Sequence, residues 1–209
     1  MPKGSPELTR ARREEIIAAC ERLYQTASFK EITIRDIGAA TSFGRTSIYN
    51  YFQTKEEIFL ALLGREYEAW TAELDALAAS AGPRTREALA EGLAGTLERR
   101  ALLLKLMSMN HFDMEENSRP ERLAEFKAAF GGSMRAASRC LEAFCPEMDA
   151  RARQRFVYAF FPFIYGVYPY TAVSEKQRAA MAAAGVDYAY PSVRELTLNF
   201  LTGLLRAFP

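Results

Sequence analysis

Apolar residues along this chain recur at helical spacing, and nowhere do they alternate with a period of two for long enough to make a strand. Ile16, Ile17, Cys20, Leu23, Tyr24 and Ala27 fall at offsets of 0, 1, 4, 7, 8 and 11, the stripe of a helix with one buried face. Helix starts are marked by a Ser or Thr followed three residues later by an acid or amide, so that side chains at both positions can cap free backbone N–H groups. Thr33 with Asp36, Thr54 with Glu57, Ser118 with Glu121, Ser174 with Gln177 and Ser192 with Glu195 fit that pattern. Together these signals predict helices over 9–27, 34–40, 45–51, 55–80, 84–110, 119–144, 147–172, 175–184 and 192–207. The class is all-α, with three short helices in residues 1–54 and a larger helical domain in residues 55–209.

Composition changes this picture little. The 209 residues can bury a real core, and 49% hydrophobic with 25% charged is ordinary for a globular chain. Lys and Arg number 27 against 26 acids, so any affinity for nucleic acid must be local. Residues 1–55 do lean basic, with nine Lys or Arg against six acids, and Lys3, Arg10, Arg12 and Arg13 form a candidate basic arm for a flanking minor groove. Three cysteines, Cys20, Cys140 and Cys145, and no charged-then-apolar leader suggest buried structural thiols in a reduced cytoplasm. Phe156 to Val173 passes without a charge, near the length of a membrane span, but Pro162, Gly166, Pro169 and four tyrosines favour an aromatic helix lining a core or pocket.

Placing residues 45–52 on a helix puts Ile48 and Phe52 on the inner side, with Phe43 just before it. Arg45, Thr46, Ser47, Tyr49 and Asn50 then spread over the outer face. A short helix carrying donors of several lengths, reached by a three-residue turn from the helix over 34–40, has the spacing of a helix-turn-helix that reads the DNA major groove.

The stretch ITIRDIGAATSFGRTSIYNYFQTKEEIFLALL resembles the DNA-binding domain of the TetR family of bacterial transcriptional regulators, over about residues 9–63. The resemblance implies that Thr33, Tyr51 and Lys55 hold phosphates, and that Arg35, Arg45, Thr46, Ser47, Tyr49 and Asn50 face base edges or flanking phosphates. Lys55 also sits in a first helical turn, where N–H groups favour phosphate. Arg35 or Arg45 to guanine and Asn50 to adenine would be the specifying pairs. The chain departs from the family pattern at Ser42, where the turn usually has glycine, and at Gly44, where a serine usually caps the recognition helix.

The resemblance further implies a homodimer on a palindromic operator, with the two recognition helices roughly 34 Å apart. In the family the C-terminal helices bind a small effector whose entry moves the fourth helix and releases the DNA, usually relieving repression. Here the expected effector is lipophilic. Its pocket would draw on Met107, Asn110, His111, Phe112, Phe160, Phe161, Phe163, Tyr165 and Tyr168, with Pro162 and Pro169 kinking or ending their helix to open space. Leu106, Met109 and Met114 add adaptable apolar surface. The dimer interface would use the last two long helices, through Phe156, Leu196, Phe200, Leu201, Leu204 and Leu205. Each aromatic of this set has an alternative place in the core.

Other functions fit less well. His111 beside Asp113, Glu115 and Glu116 is the only conceivable metal set and lacks a second nitrogen or thiolate, so no metal or cofactor is expected. An enzyme would need a nucleophile with a base, a metal or a phosphate-cradling loop, and none stands out. A helical protein-interaction adaptor without DNA binding is the remaining rival reading.

Overall fold

The computed structural model describes residues 5–109 and 111–208, apart from the Arg45 side chain; Lys3 and Asn110 lie outside the described residues. The regular structure among the described residues is all helix, without strands. The helices are α1 (Pro6–Thr26), α2 (Ile34–Ala39), α3 (Arg45–Ile48), α4 (Lys55–Ala79), α5 (Arg86–Glu98), α6 (Ala101–Met107), α7 (His111–Glu116), α8 (Pro120–Phe144), α9 (Ala150–Thr171), α10 (Glu175–Ala183) and α11 (Val193–Arg206). They divide into two compact units, Met1–Arg65 with Asn110–Ala129, and Glu66–Met109 with Phe130–Pro209. The first unit therefore runs past the expected division at residue 54 and takes in a distant segment.

In the first unit the predicted stripe of α1 buries Ile16, Ile17, Cys20 and Tyr24. Against it pack Ile37 of α2, Ile48 of α3, Phe52 and Phe59, each 0% exposed. Tyr24 and Phe29 both meet the Phe59 ring edge-on, at 5.1 and 4.8 Å between centroids. The capping boxes form at Thr33, Ser174 and Ser192. At α4 only half of one forms: the Thr54 hydroxyl accepts from the Glu57 N–H at 3.2 Å, while the Glu57 carboxylate accepts from Gln53 N–H at 2.8 Å. Ser118 caps nothing, because its hydroxyl donates back to the Met114 carbonyl and α8 starts only at Pro120.

The second unit is built around Trp70, Phe156, Phe160 and Phe161, all at most 3% exposed. The indole N–H donates to the Thr96 hydroxyl at 3.0 Å, which donates in turn to the Leu93 carbonyl. Helix α11 packs on α5 and α9, and α6 packs on α9.

Two sequence expectations about helix ends fail here. The helix expected over 84–110 breaks at Arg100, whose backbone lies at φ −112° and ψ 48° and whose guanidinium is held by Glu73. No glycine or proline marks that break. Helix α9 continues through Pro162 and Pro169, so neither proline ends it. Both prolines are exposed, so water can satisfy the carbonyls they leave unpaired.

Cys20, Cys140 and Cys145 are free and buried. Burial pushes the Cys20 and Cys140 thiols up to about 12. Among the described residues no single helix is long and apolar enough to cross a membrane, and no group of three His, Cys, Asp or Glu could hold a metal ion.

Candidate nucleic-acid interface

Helix α2 is fixed at its start by Thr33, whose hydroxyl accepts from Asp36 N–H at 3.3 Å while the Asp36 carboxylate accepts from Thr33 N–H at 3.0 Å. The Thr33 hydroxyl also donates to that carboxylate at 2.6 Å, and this bond, with the Thr33 N–H the lesser cause, holds the Asp36 carboxyl below its ordinary range. The turn that follows is closed by side chains. Thr41 donates to the Gly38 carbonyl at 2.8 Å, Arg22 to the Ala40 carbonyl at 2.9 Å, and the Ser42 N–H and hydroxyl both donate to Glu15. Ser42 thus has a specific partner where the family pattern has glycine. Gly44 caps α3 at φ −68° without a side-chain bond.

The recognition helix is shorter than expected. Its α-helical part is Arg45–Ile48, and tighter i→i+3 bonds from Asn50 N–H to Ser47 and Tyr51 N–H to Ile48 carry the turn to Phe52, which returns to an i→i+4 bond. Ile48 and Phe52 are buried as the spacing predicted. Thr46 and Asn50 are exposed, Ser47 is half-buried, and Tyr49 stands 44% exposed.

Tyr51 departs from the expected set. It is 5% exposed, with its ring 6.4 Å from that of Phe43, because residues 49 and 51 sit roughly 200° apart around a helical turn and only one can face out.

Thr33, Arg35, Tyr49, Thr54 and Lys55 line one open cleft beside the recognition helix. Its acidic walls, Glu31, Asp36 and Glu56, are turned partly to their own caps: Glu31 accepts from Ser28 N–H at 2.7 Å. The Lys55 ammonium already has partners in this cleft, donating to the carbonyls of Phe29 at 2.7 Å and Ile32 at 3.2 Å, 4.2 Å above the Phe29 ring. Three N–H groups leave it one donor for a phosphate.

Of the candidate basic arm, Arg10, Arg12 and Arg13 are helical, and Lys3 lies outside the described residues. From Pro6 onward the chain is helix α1, Arg12 lies over the Phe43 ring at 5.1 Å, and Arg13 pairs with Glu125 at 2.7 Å.

Sequence reasoning missed Arg119. Its Nε and terminal N–H donate to the two oxygens of Glu57 at 2.7 and 2.8 Å, and it reaches the Tyr51 carbonyl at 3.2 Å. The two residues are 62 positions apart, and nothing local in the sequence links them.

In the second unit, the expected pocket residues disperse. Met107 and Phe160 are core, at 1% and 0% exposure. His111 and Phe112 belong to the first unit, where the imidazole lies 6.4 Å from Phe126 and Phe112 is 81% exposed. Phe163 stacks on Phe200 of α11, 3.8 Å apart and 2° from parallel. Phe161 and Tyr165 do share an open apolar cleft of about 460 Å³ with Phe130, Met134, Tyr158 and Pro162. Tyr165 shares a hydroxyl hydrogen bond of 3.0 Å with Tyr67, whose burial holds its phenol well above its ordinary range. Tyr168 is half-buried outside that cleft.

The expected dimer set also splits. Phe156, Leu201 and Leu205 face inward at no more than 2% exposure, whereas Leu196, Phe200 and Leu204 stay half-exposed. Apolar stripes run along two sides of α11, one residue out of step, and the inner one is filled by α5 and α9.

A helix-turn-helix whose second helix turns polar residues outward, in a chain that is otherwise helical among the described residues, is the architecture of a DNA-binding regulator. The sequence agrees. Residues 16–62 match the family "Bacterial regulatory proteins, tetR family", and residues 64–206 match "Tetracyclin repressor-like, C-terminal domain". The chain belongs to the TetR family, whose members are DNA-binding transcriptional regulators.

Its fold is shared with a putative TetR-family transcriptional regulator from Mesorhizobium loti, at 12% identity over 96% of this chain and 98% of that one, with a TM-score of 0.61. A TetR/AcrR-family regulator from Thermobifida fusca is 19% identical over 95% and 99%, with a TM-score of 0.58. SmeT, the repressor of the Stenotrophomonas maltophilia multidrug efflux pump SmeDEF, is 18% identical over 96% and 91%, with a TM-score of 0.50. No curated protein sequence matches the chain.

Proposed function

We propose that this protein is a cytoplasmic, dimeric repressor that binds a palindromic operator and leaves it when a lipophilic effector occupies the second unit. The reading rests on one arrangement: Thr46, Tyr49 and Asn50 exposed on the recognition turn, beside a cleft that carries Thr33, Arg35 and Lys55. Groups on the turn are placed to read bases, and groups in the cleft to hold phosphate. The Arg45 backbone heads α3, which suits the base-reading role of its side chain.

Dimerisation is supported by the outer stripe of α11, Leu196, Phe200 and Leu204, which Phe163 and the exposed Tyr170 of α9 extend. The effector reading is supported by the apolar cleft at Phe130, Phe161 and Tyr165, whose single phenol pair would orient a ligand through one hydrogen bond. Nothing in these roles calls for catalysis or a cofactor.

Selection of bound fragments from a randomised duplex pool tests the reading. Enrichment of a palindrome is expected, with Tyr49→Ala changing the preferred bases and Thr33→Val weakening all sequences alike. Absence of any enrichment at low salt would leave the rival adaptor reading in possession.

A further inference from the structure

The carbonyl of Tyr51 ends the recognition turn and has no helical partner beyond it, as at any helix C-terminus. In this fold its partner is the Arg119 guanidinium at 3.2 Å, supplied by the segment that precedes α8. The guanidinium is itself held in one plane. Its fork meets both oxygens of Glu57, a side chain with 0% exposure, and the Arg119 backbone N–H adds a third bond to the same carboxylate at 3.0 Å. Gln53 N–H completes the set at 2.8 Å, so each Glu57 oxygen accepts two donors. Three residues before Glu57 and two before Arg119, the Thr54 hydroxyl donates to the Asn117 carbonyl at 2.9 Å.

Each contact fixes a different part of the same region. Tyr51 is the end of the recognition turn, Gln53 and Thr54 the linker after it, and Glu57 the first turn of α4. The rim of this junction is tied down as well: Arg13 and Arg122 lie over the Phe52 ring at 5.4 and 5.9 Å, and both pair with Glu125. A four-residue α-helix has no stability of its own, so the orientation of Tyr49 and Asn50 depends on what grips its ends. Glu15 grips the turn before it through Ser42, and Arg119 grips the end after it.

We propose that Arg119 is a positioning residue for DNA recognition, clamping the Tyr51 carbonyl from a seat on buried Glu57 and so setting the aim of the recognition turn. The proposal rests on the DNA-binding reading. It adds that a residue 68 positions beyond the turn governs affinity without touching DNA. Helix α8 begins at the next residue.

The test uses the full-length protein and the duplex that it selects from a randomised pool. Arg119→Lys keeps a counter-charge for Glu57 but loses the planar fork and the reach to Tyr51. Glu57→Gln with Arg119→Met removes both charges together, which avoids leaving either buried alone. Both variants should fold, judged by wild-type helical circular dichroism and wild-type amide protection of α1 in the first unit.

Loss of one charge-assisted hydrogen bond should weaken the duplex by about tenfold in each variant. The slope of log affinity on log salt should stay that of the wild type. Amide exchange over residues 45–53 should quicken by about the same factor, and it should do so without DNA present.

Unchanged affinity and exchange in folded Arg119→Lys would overturn the proposal. So would a salt slope reduced by about one per protomer, because Arg119 would then be a phosphate ligand. If the wild type selects no duplex, the DNA reading fails by itself, and the exchange measurement still decides whether the clamp exists.

Discussion

Lys55→Met separates two jobs that one ammonium performs. In the structure its Nζ donates to two carbonyls and lies over the Phe29 ring, and a third N–H remains for a phosphate. Methionine keeps the apolar stem and removes only the charge. Each bond from a half-exposed cation is worth about 1 kcal/mol and the ring contact about 0.5 kcal/mol, and hydration of the freed carbonyls offsets part of that sum. The net loss should be about 1.5 kcal/mol, a fall in Tm of roughly 3 to 6 °C for a chain of this length.

The phosphate contact is read separately, from binding to the selected duplex across a salt series. Its loss should lower the slope of log affinity on log salt by about 0.9 per protomer. Thermal unfolding followed by circular dichroism gives the first quantity, and fluorescence anisotropy of the labelled duplex gives the second. A stability loss with an unchanged slope would refute the phosphate role. A reduced slope with unchanged Tm would refute the carbonyl clamp and the energies assigned to it.

Two further expectations concern the core and the acid range. Thr96→Val should cost about 2 kcal/mol by leaving the buried Trp70 N–H unpaired, and the same change made in Trp70→Phe should cost much less, as urea unfolding of the four proteins would read. Glu57 and Glu125 are opposed by burial, which would raise them, but hydrogen bonds, led by Arg119 for one and Arg13 for the other, hold both carboxyls below their ordinary 4.5. Their contribution to stability is therefore complete above pH 4.5 and is lost as pH falls through the lower folded values. Unfolding midpoints should drop in that window, and Glu57→Gln should flatten the drop.

Much of this molecule is legible from local pattern. The caps at Thr33, Ser174 and Ser192, the stripe of α1 and the inward pair Ile48 and Phe52 all follow from spacing. What escapes is decided between segments. In α11 the stripe of Leu196, Phe200 and Leu204 and the stripe of Thr197, Leu201 and Leu205 differ by one residue, about 100° of rotation. Which of them turns inward depends on α5 and α9, not on α11. Tyr49 and Tyr51 pose the same choice on the recognition turn. The break at Arg100 is set by acids on α4, and the role of Arg119 by a carboxylate 62 residues away, so neither leaves a mark that periodicity can find.

The inclusion of residues 110–129 in the first unit has a consequence for anyone cutting the chain. Sequence families meet at residue 63, which makes a graft of residues 1–62 onto another regulator look natural. Such a graft would carry Glu57 into its new host as a buried carboxylate without its guanidinium, and Phe52 without the cation of Arg122 above it. The reading head is a discontinuous module. A working chimera would have to bring the second segment of that module along, or supply an arginine from the host at the place where Arg119 stands.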